Sequence, residues 1–287
     1  MTFPKISIVT PSFNQAEFLE RTIQSILNQN YPNLEYIIID GGSTDGSVDI
    51  IKKYKKHLSY WESTKDNGQY YAIQKGFDKC TGDVMAWINS DDIYHTKSLF
   101  IVAEIFNSFP QIKWLTGNIS FIDDQDKIIC SRIAKSWSRF NLHKGDHIWI
   151  QQESTFWKKS LWESAGAQIN LKLNYAADFD LWIRFLKIEK LYTTEALLGA
   201  FRLRKSNQKT LEGKSAYMDE YYSILEKEKI SKEDKTKLRL ISIFENFILK
   251  IPVIKRISIL RNSYYKLYDY PPVITFDRIS YTYKFKT

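Results

Sequence analysis

The sequence predicts an α/β fold, with a mixed, mainly parallel sheet flanked by helices and a helical extension at the carboxyl end. Three observations carry this. Strand-like and helix-like stretches alternate over the first hundred residues, and Tyr36-Ile37-Ile38-Ile39 is a continuous apolar run of the kind buried on both faces. Each early strand-like run also ends in a polar cluster. The 287 residues are 44% hydrophobic and 15% aromatic, enough for a sizeable core and too much for a disordered or collagen-like chain. At roughly 150 residues per domain, the length suits one large domain with an appendage.

The elements follow in order. Ile6-Ser7-Ile8-Val9-Thr10 is a β-rich run ending at Pro11, which cannot continue a ladder. Leu19, Ile23, Ile26 and Leu27 recur at helical spacing until Tyr31-Pro32-Asn33 stops them. After the second strand, Gly41-Gly42-Ser43-Thr44-Asp45-Gly46 turns the chain into a helix from about Ser47 to Lys56. A strand near Tyr60, a helix from about Tyr70 to Cys80 and the strand Val84-Met85-Ala86-Trp87-Ile88 complete a βα series that implies parallel pairing. Lys113 to Arg132 reads as shorter strands, and Ser154 to Leu186 mixes strand and helix signals. Beyond Glu212 the pattern is all-helical. Leu240, Phe244, Phe247, Ile248 and Ile251 share one face; after Pro252, Val253, Ile257, Leu260, Tyr264 and Leu267 share another. The expected division is a sheet domain over 1–212 and a basic helical extension over 213–287.

The formal net charge is +8, unevenly placed. From Asn246 onward there are 8 Lys+Arg against 2 Asp+Glu, which leaves 33 against 31 in the first 245 residues. The excess therefore belongs to the tail, and no nucleic-acid surface is expected on the main domain. Lys250, Lys255, Arg256, Arg261 and Lys266, set beside apolar faces, suit an anionic membrane surface. Packing of those faces on the main domain or in a homodimer is the alternative. Cys80 and Cys130 have neither disulfide-scaffold nor metal-ligand spacing, which favours a reducing compartment. No run approaches the ~18 apolar residues of a membrane span, and Met1-Thr2-Phe3-Pro4-Lys5 opens no secretory pattern. The expectation is a cytoplasmic protein, soluble or peripheral at the inner face of the cell membrane.

An α/β sheet binds ligands beyond the carboxyl ends of its strands. Four polar clusters fall there: Pro11-Ser12-Phe13-Asn14, Asp40-Gly41-Gly42-Ser43, Asp66-Asn67-Gly68-Gln69 and Asn89-Ser90-Asp91-Asp92. Gly41, Gly42 and Gly46 do not make G-x-G-x-x-G, and no phosphate-cradling P-loop is present, so a nucleotide would not be held by a glycine cradle. Asp91-Asp92 after an apolar strand suits Mg²⁺ or Mn²⁺, hard cations that take carboxylate oxygen and bridge phosphates. The alternative is that Ser90 or Asp91 caps a helix starting near Thr96, and Ser43-Thr44-Asp45 has the same capping alternative.

These residues resemble family 2 glycosyltransferases. The resemblance runs from Ser7–Asn14 through Ile38–Ser47, Asp66–Ala72 with Gly82-Asp83, and Trp87–Asp92 to Tyr175–Arg184, in family order over about 200 residues, and ends near Thr210. It implies the GT-A fold, a nucleotide-diphospho-sugar donor (UDP-sugar by expectation), a divalent metal and transfer with inversion to a glycan or lipid-linked acceptor in polysaccharide biosynthesis. By motif position, Pro11, Ser12 and Phe13 would contact the nucleoside, Asp40 and Asp66 the base, and Asp91 the ribose. Gln69 would complete the donor site, and Asp92, last acid of the DxD-like motif, would bind the metal. The motif here reads Asn-Ser-Asp-Asp, without its first acid, and Gly41 stands where many relatives carry a second acid.

Asp178 matches the family's catalytic base. An acceptor hydroxyl must lose its proton as it attacks, and a positioned carboxylate can take it. A metal offsets the charge gathered by the departing diphosphate, so one base and one cation suffice. A helix cap is the structural alternative for Asp178; Asp180, four residues before Arg184, is the rival base or half of an ion pair. Arg202, Arg204, Lys205 and Lys209 form either a basic loop closing over the diphosphate or a solvated linker. Gln151-Gln152-Glu153 lies either near the acceptor or in edge packing, and His143 and His147 read as ordinary histidines. Two other classes compete with the enzyme: a catalytically silent sugar-nucleotide-binding scaffold and a nucleotidyltransferase. The second would want a glycine- and Arg/Lys-rich loop where Pro11-Ser12-Phe13-Asn14 stands.

Overall fold

The computed structural model describes residues 3–145, 150–204, 213–248 and 258–286. The first part is the expected βα series: Ile6–Ser12 (β1), Ala16–Leu27 (α1), Leu34–Asp40 (β2), Ser47–Tyr54 (α2), Tyr60–Ser63 (β3), Gln69–Phe77 (α3) and Val84–Trp87 (β4). Next come Ile93–Tyr94 (β5), Ser98–Ser108 (α4), Trp114–Ile122 (β6), Ile128–Arg132 (β7) and Arg139–His143 (α5). Thr155–Lys158 (β8), Lys159–Ser164 (α6), Ala177–Ile188 (α7), Tyr192–Leu197 (β9) and Gly199–Arg202 (β10) follow. The last part holds Lys214–Lys227 (α8), Lys232–Ile243 (α9), Ser258–Leu267 (α10), Ile274–Asp277 (β11) and Thr282–Phe285 (β12).

The main path of the sheet runs β12-β11-β9-β6-β8-β4-β1-β2-β3. β1 lies between β2 and β4, parallel to both, in a register from Ile6↔Leu34 to Ser12↔Asp40. All seven residues of β1 are buried, which is why its sequence alternates less than a one-sided strand would. β8 is antiparallel to both β4 and β6, so the sheet is mixed, as expected. The shorter strands expected from Lys113 to Arg132 are one nine-residue strand, β6, and its partner β7.

A core lies on each face. One packs α1 and α4 against the sheet through Leu19, Ile23, Ile26, Leu99 and Val102. The other packs α3 and α7 around four indoles, with Trp87 and Trp182 stacked at 5.8 Å and Trp114 and Trp157 beside Trp182. Gly76 permits the close approach of α3 to β1, since a Cβ there would sit 2.3 Å from Val9 Cγ1. These indoles hold the body of α7, and with it the residues at its amino end, against the sheet.

The chain beyond Glu212 is not helical throughout. β11 and β12 form an antiparallel hairpin that joins the sheet through Ile274↔Thr194. The alternation in Thr282-Tyr283-Lys284-Phe285 is the period-2 signal of this hairpin, short beside the helical faces preceding it. The helices also pack on the main domain. Tyr221 of α8 enters the α7 core and stacks on Phe179 at 4.2 Å, while Ile241 and Tyr268 enclose Phe140. Lys250, Val253, Lys255, Arg256 and Ile257 lie outside the described residues. Among the described residues no helix is long and apolar enough to cross a membrane.

Candidate active site

The carboxyl ends of β1, β2 and β4 border a cleft of about 610 Å³. Pro11 and Ser12, paired in β1 beyond the expected stop at Pro11, form one wall with Phe13; Asp66 and Gln69 line another, before and at the start of α3; Ser90 and Asp91 follow β4. Phe13 is 60% exposed, an unusual position for a large apolar ring and well placed to cover a planar group. Ser12 Oγ is buried with no hydrogen-bond partner, an atom that a ligand hydroxyl or phosphate in the cleft would satisfy. Lys65 and Arg204 also line the cleft, and Arg204 reaches Asp91 Oδ2 at 3.0 Å.

Asp40, expected at the base, does not line this cleft. It is fully buried, and both oxygens are committed to the turn after β2. Oδ2 accepts from the Gly42 and Ser43 amides at 3.1 and 2.9 Å and from Ser63 Oγ at 2.7 Å, while Oδ1 accepts from Ser43 Oγ. Gly41 is explained by the neighbour it faces: a Cβ there would sit 3.2 Å from Asp66 Oδ1 and 3.3 Å from Phe13. Of the acids expected near the base, Asp66 is the one that reaches the cleft.

The Asn89-Ser90-Asp91-Asp92 turn divides its two acids. Asp91 faces the cleft, whereas Asp92 is buried behind it, with Oδ1 accepting from the Arg202 amide at 2.8 Å and Oδ2 from Asn89 Nδ2 at 3.2 Å. Asn89, in place of the first acid, also accepts from Gln69 Nε2 at 2.7 Å and so ties the cleft wall to Asp92. Burial, with the charges of Glu153 and Asp91, drives the Asp92 carboxyl well above the usual carboxylate range. Among the described residues no three acids, histidines or cysteines group as a metal cage. One or two carboxylates completed by diphosphate oxygens and water are nevertheless a donor set that Mg²⁺ and Mn²⁺ accept, and a buried acidic cluster gains from such a counter-charge. Asp91, which faces the cleft, is the carboxylate placed to meet such an ion; Asp92, expected as its ligand, lines neither hollow and has both oxygens taken, by the Arg202 amide and Asn89 Nδ2.

A second, smaller hollow of about 80 Å³ adjoins the cleft, sharing Gln69, Asn89 and Phe201 with it. Asp178 lines it from the first turn of α7, with Tyr70, Gln152, Glu153 and Tyr217 around it. Asp178 Oδ1 accepts from the Phe179 amide at 2.8 Å, and burial pushes its carboxyl up to about 7. Asp180, the rival, points elsewhere. It bonds Arg184 Nε at 3.0 Å and Asn170 Nδ2 at 3.1 Å, and Arg184 in turn clamps the carbonyls of Ala165 and Gln168.

Glu153, expected with Gln151 and Gln152 either near the acceptor or in edge packing, lines the same hollow as Asp178. It is 2% exposed, its Oε1 has no hydrogen-bond partner, and burial pushes its carboxyl up to about 8, aided by the charges of Asp91 and Asp178. Gln152 Oε1, beside it in the hollow, is likewise without a partner. The signal available was a polar Gln151-Gln152-Glu153-Ser154 run leading into a strand, where four buried polar side chains in a row are unusual. Arg202, read as part of a loop, is fully buried at the end of β10, and Lys205 and Lys209 lie outside the described residues. His143 is half-buried and its pKa is lowered by burial; His147 lies outside the described residues.

Residues 7–112 match the model of the family described as Glycosyl transferase family 2. That segment carries the ends of β1, β2 and β4 that border the cleft, and there the resemblance read from the motifs is borne out. Among curated relatives, the putative teichuronic acid biosynthesis glycosyltransferase TuaG of Bacillus subtilis (strain 168) is 37% identical over 94 residues. That match takes in 31% of this chain and 36% of TuaG. The chain spans less than two thirds of the length of the first curated relatives it matches, between 36% and 63%. S. aureus TarS 1-349, solved in complex with UDP-GlcNAc, superposes with a TM-score of 0.64 at 14% identity, over 92% of this chain and 79% of that one. The mannosyltransferase PcManGT of Pyrobaculum calidifontis, solved with GDP-Man and Mn²⁺, gives 0.61 at 14% identity, over 92% and 70%. At such identity these structures establish the fold, and the fold is GT-A.

Proposed function

We propose that the chain is an inverting, metal-dependent glycosyltransferase that moves a sugar from a nucleotide-diphospho-sugar to a hydroxyl of a glycan or lipid-linked acceptor in surface polysaccharide biosynthesis. The observation carrying this is the junction of the two hollows: a cleft shaped for a nucleotide opens into a pocket whose carboxylate is poised near neutrality. Phe13 covers the base, and Ser12, Asp66, Gln69 and Asp91 bind the nucleoside. Lys65 and Arg204 bring positive charge to the diphosphate. At pH above about 7 Asp178 is ionised and accepts the proton of the attacking hydroxyl. The Asp91-Asp92 turn, with Asp92 the ligand that motif position implies, would hold a Mn²⁺ or Mg²⁺ ion, which would supply charge to offset the leaving diphosphate.

The difference between the two acids supports the inverting reading. A retaining double displacement needs an ionised nucleophile, and Glu153, raised to about 8, carries its proton over most of the neutral range. Asp178 is then left as a base for a single displacement. UDP-sugars are the first donors to test, because a relative of this fold was solved with UDP-GlcNAc. The test is a panel of nucleotide-sugars with Mn²⁺, read by thermal stabilisation and by donor hydrolysis. Stabilisation and metal-dependent hydrolysis by at least one donor are expected. Stabilisation without hydrolysis or transfer, in the presence of acceptor, would favour a silent binding scaffold.

The reading keeps the division at residue 212 and a cytoplasmic site of action. It also keeps association of the basic tail with an anionic membrane surface or a second copy of the chain. Flotation with anionic and neutral vesicles tests the membrane arm, and equal behaviour with both would remove it.

A further inference from the structure

We infer that Glu220, from the segment after the sheet domain, is a positioning residue for the active site: it holds the turn that presents Asp178 and sets the charge around it. The inference rests on Asp178 being the base.

The sequence shows why help is needed. Four amides at the start of a helix have no partner within it, and a Ser, Thr, Asp or Asn cap normally takes one or two of them. Here Tyr175-Ala176-Ala177 precedes Asp178, and the capping position, Ala176, has no side chain that can accept. A carboxylate from another element instead holds the three amides that lead into the helix. Glu220 Oε1 accepts from the Asn174 amide at 2.8 Å, and Oε2 accepts from the Tyr175 and Ala176 amides at 2.9 and 2.8 Å. Tyr70 of α3 closes the turn from the other side, donating to the Tyr175 carbonyl at 2.6 Å and accepting from the Ala177 amide at 3.3 Å. Three charge-assisted bonds to one carboxylate fix the backbone at the residues immediately before the base.

Burial of the contact keeps it in place. Phe179 stacks on Tyr221, and Tyr217, Met218, Ile224 and Leu225 of α8 pack on the same core. Tyr217 itself lines the pocket. The first helix after residue 212 therefore completes the site that the sheet domain begins.

The charge has a separate effect. The groups facing Asp178 are Glu153 from the turn before β8, Tyr70 from α3, and Tyr217 with Glu220 from α8. On its own helix, Asp180 and Arg184 are paired with each other. Burial is the larger cause of the raised Asp178 carboxyl, and the Glu220 charge raises it further. Removing that charge stabilises ionised Asp178, so activity should appear at lower pH.

The test compares Glu220→Gln with Asp219→Asn, which makes the same charge change at an exposed neighbour. Expected for Glu220→Gln are faster hydrogen exchange at the amides of residues 174–176 and a kcat lower by about 10- to 100-fold, the scale of a small misplacement at a reacting centre. The acid limb of the kcat–pH profile should move to lower pH, with donor affinity unchanged. Asp219→Asn should change none of these. Should Glu220→Gln fail to fold, Tyr70→Phe loosens the same turn without altering charge and should lower kcat with the limb in place. Faster exchange at residues 174–176 with normal kcat and an unmoved limb would overturn the inference. Failure of the base reading is seen separately, as turnover retained by Asp178→Asn.

Discussion

The two sides of the site are built in opposite ways. The larger cleft is assembled from contiguous segments at successive strand ends, all within residues 11–91 except Phe201 and Arg204. The smaller pocket draws on residues far apart in sequence: Tyr70, Glu153, Asp178 and Tyr217, with Glu220 behind them. A parallel sheet explains the first arrangement, because its crossovers return every strand end to one rim. Nothing so regular governs the second, which depends on how α7 and α8 pack over the other half of the sheet. Donor binding should therefore respond to local changes, and catalysis to changes in packing well away from the reacting atoms.

The largest effect should come from packing. Trp182→Ala removes an indole in contact with Trp87, Trp114 and Trp157, and should destabilise the fold by about 3–5 kcal/mol, as for large-to-small core changes generally. Denaturant unfolding measures it, and activity should fall with stability. A loss under 1 kcal/mol would mean that the indole cluster does not anchor α7.

Asp40→Asn sharpens the comparison on the donor side. If the carboxylate serves the turn after β2, the change should cost about 1.5–3 kcal/mol of stability, the scale of hydrogen bonds to a charged group. If Asp40 instead reads the base, as motif position implies, the melting temperature should hold while donor affinity falls. Phe13→Ala is the converse. The ring is mostly exposed, so stability should be unchanged, while donor affinity should weaken by about 1–3 kcal/mol, the usual worth of stacking a base on an aromatic side chain. Isothermal titration with the hydrolysis-resistant nucleoside diphosphate reads both.

The same contrast explains what could be read from the sequence. β1, β2 and β4 were legible because strands buried on both faces are written as unbroken apolar runs, and the residues ending them fall on one rim whatever the loops do. Asp91 and Asp92 were legible as a pair, but which one faces the cleft depends on Arg202 and Arg204, more than a hundred residues later. Asp40 looked like a ligand contact because an acid after a strand is equally suited to tying its own turn, and only the Ser43 and Ser63 bonds decide between them. Glu220 has no local signature at all: an acid on an amphipathic helix comes to hold this turn only through a contact some 45 residues back along the chain.

The central claim is that Asp178 takes the proton of the acceptor hydroxyl. Turnover of Asp178→Asn, measured against pH beside the unaltered chain, tests it most directly. The unaltered chain should gain kcat tenfold per pH unit up to about 7 and then level, because a raised carboxyl pKa keeps the base protonated, and silent, below that value. The variant should lose about 10²–10⁴-fold in kcat, the usual contribution of a general base, and lose the pH limb while binding donor normally. Turnover within a few-fold of the unaltered chain, with the limb still in place, would contradict the account.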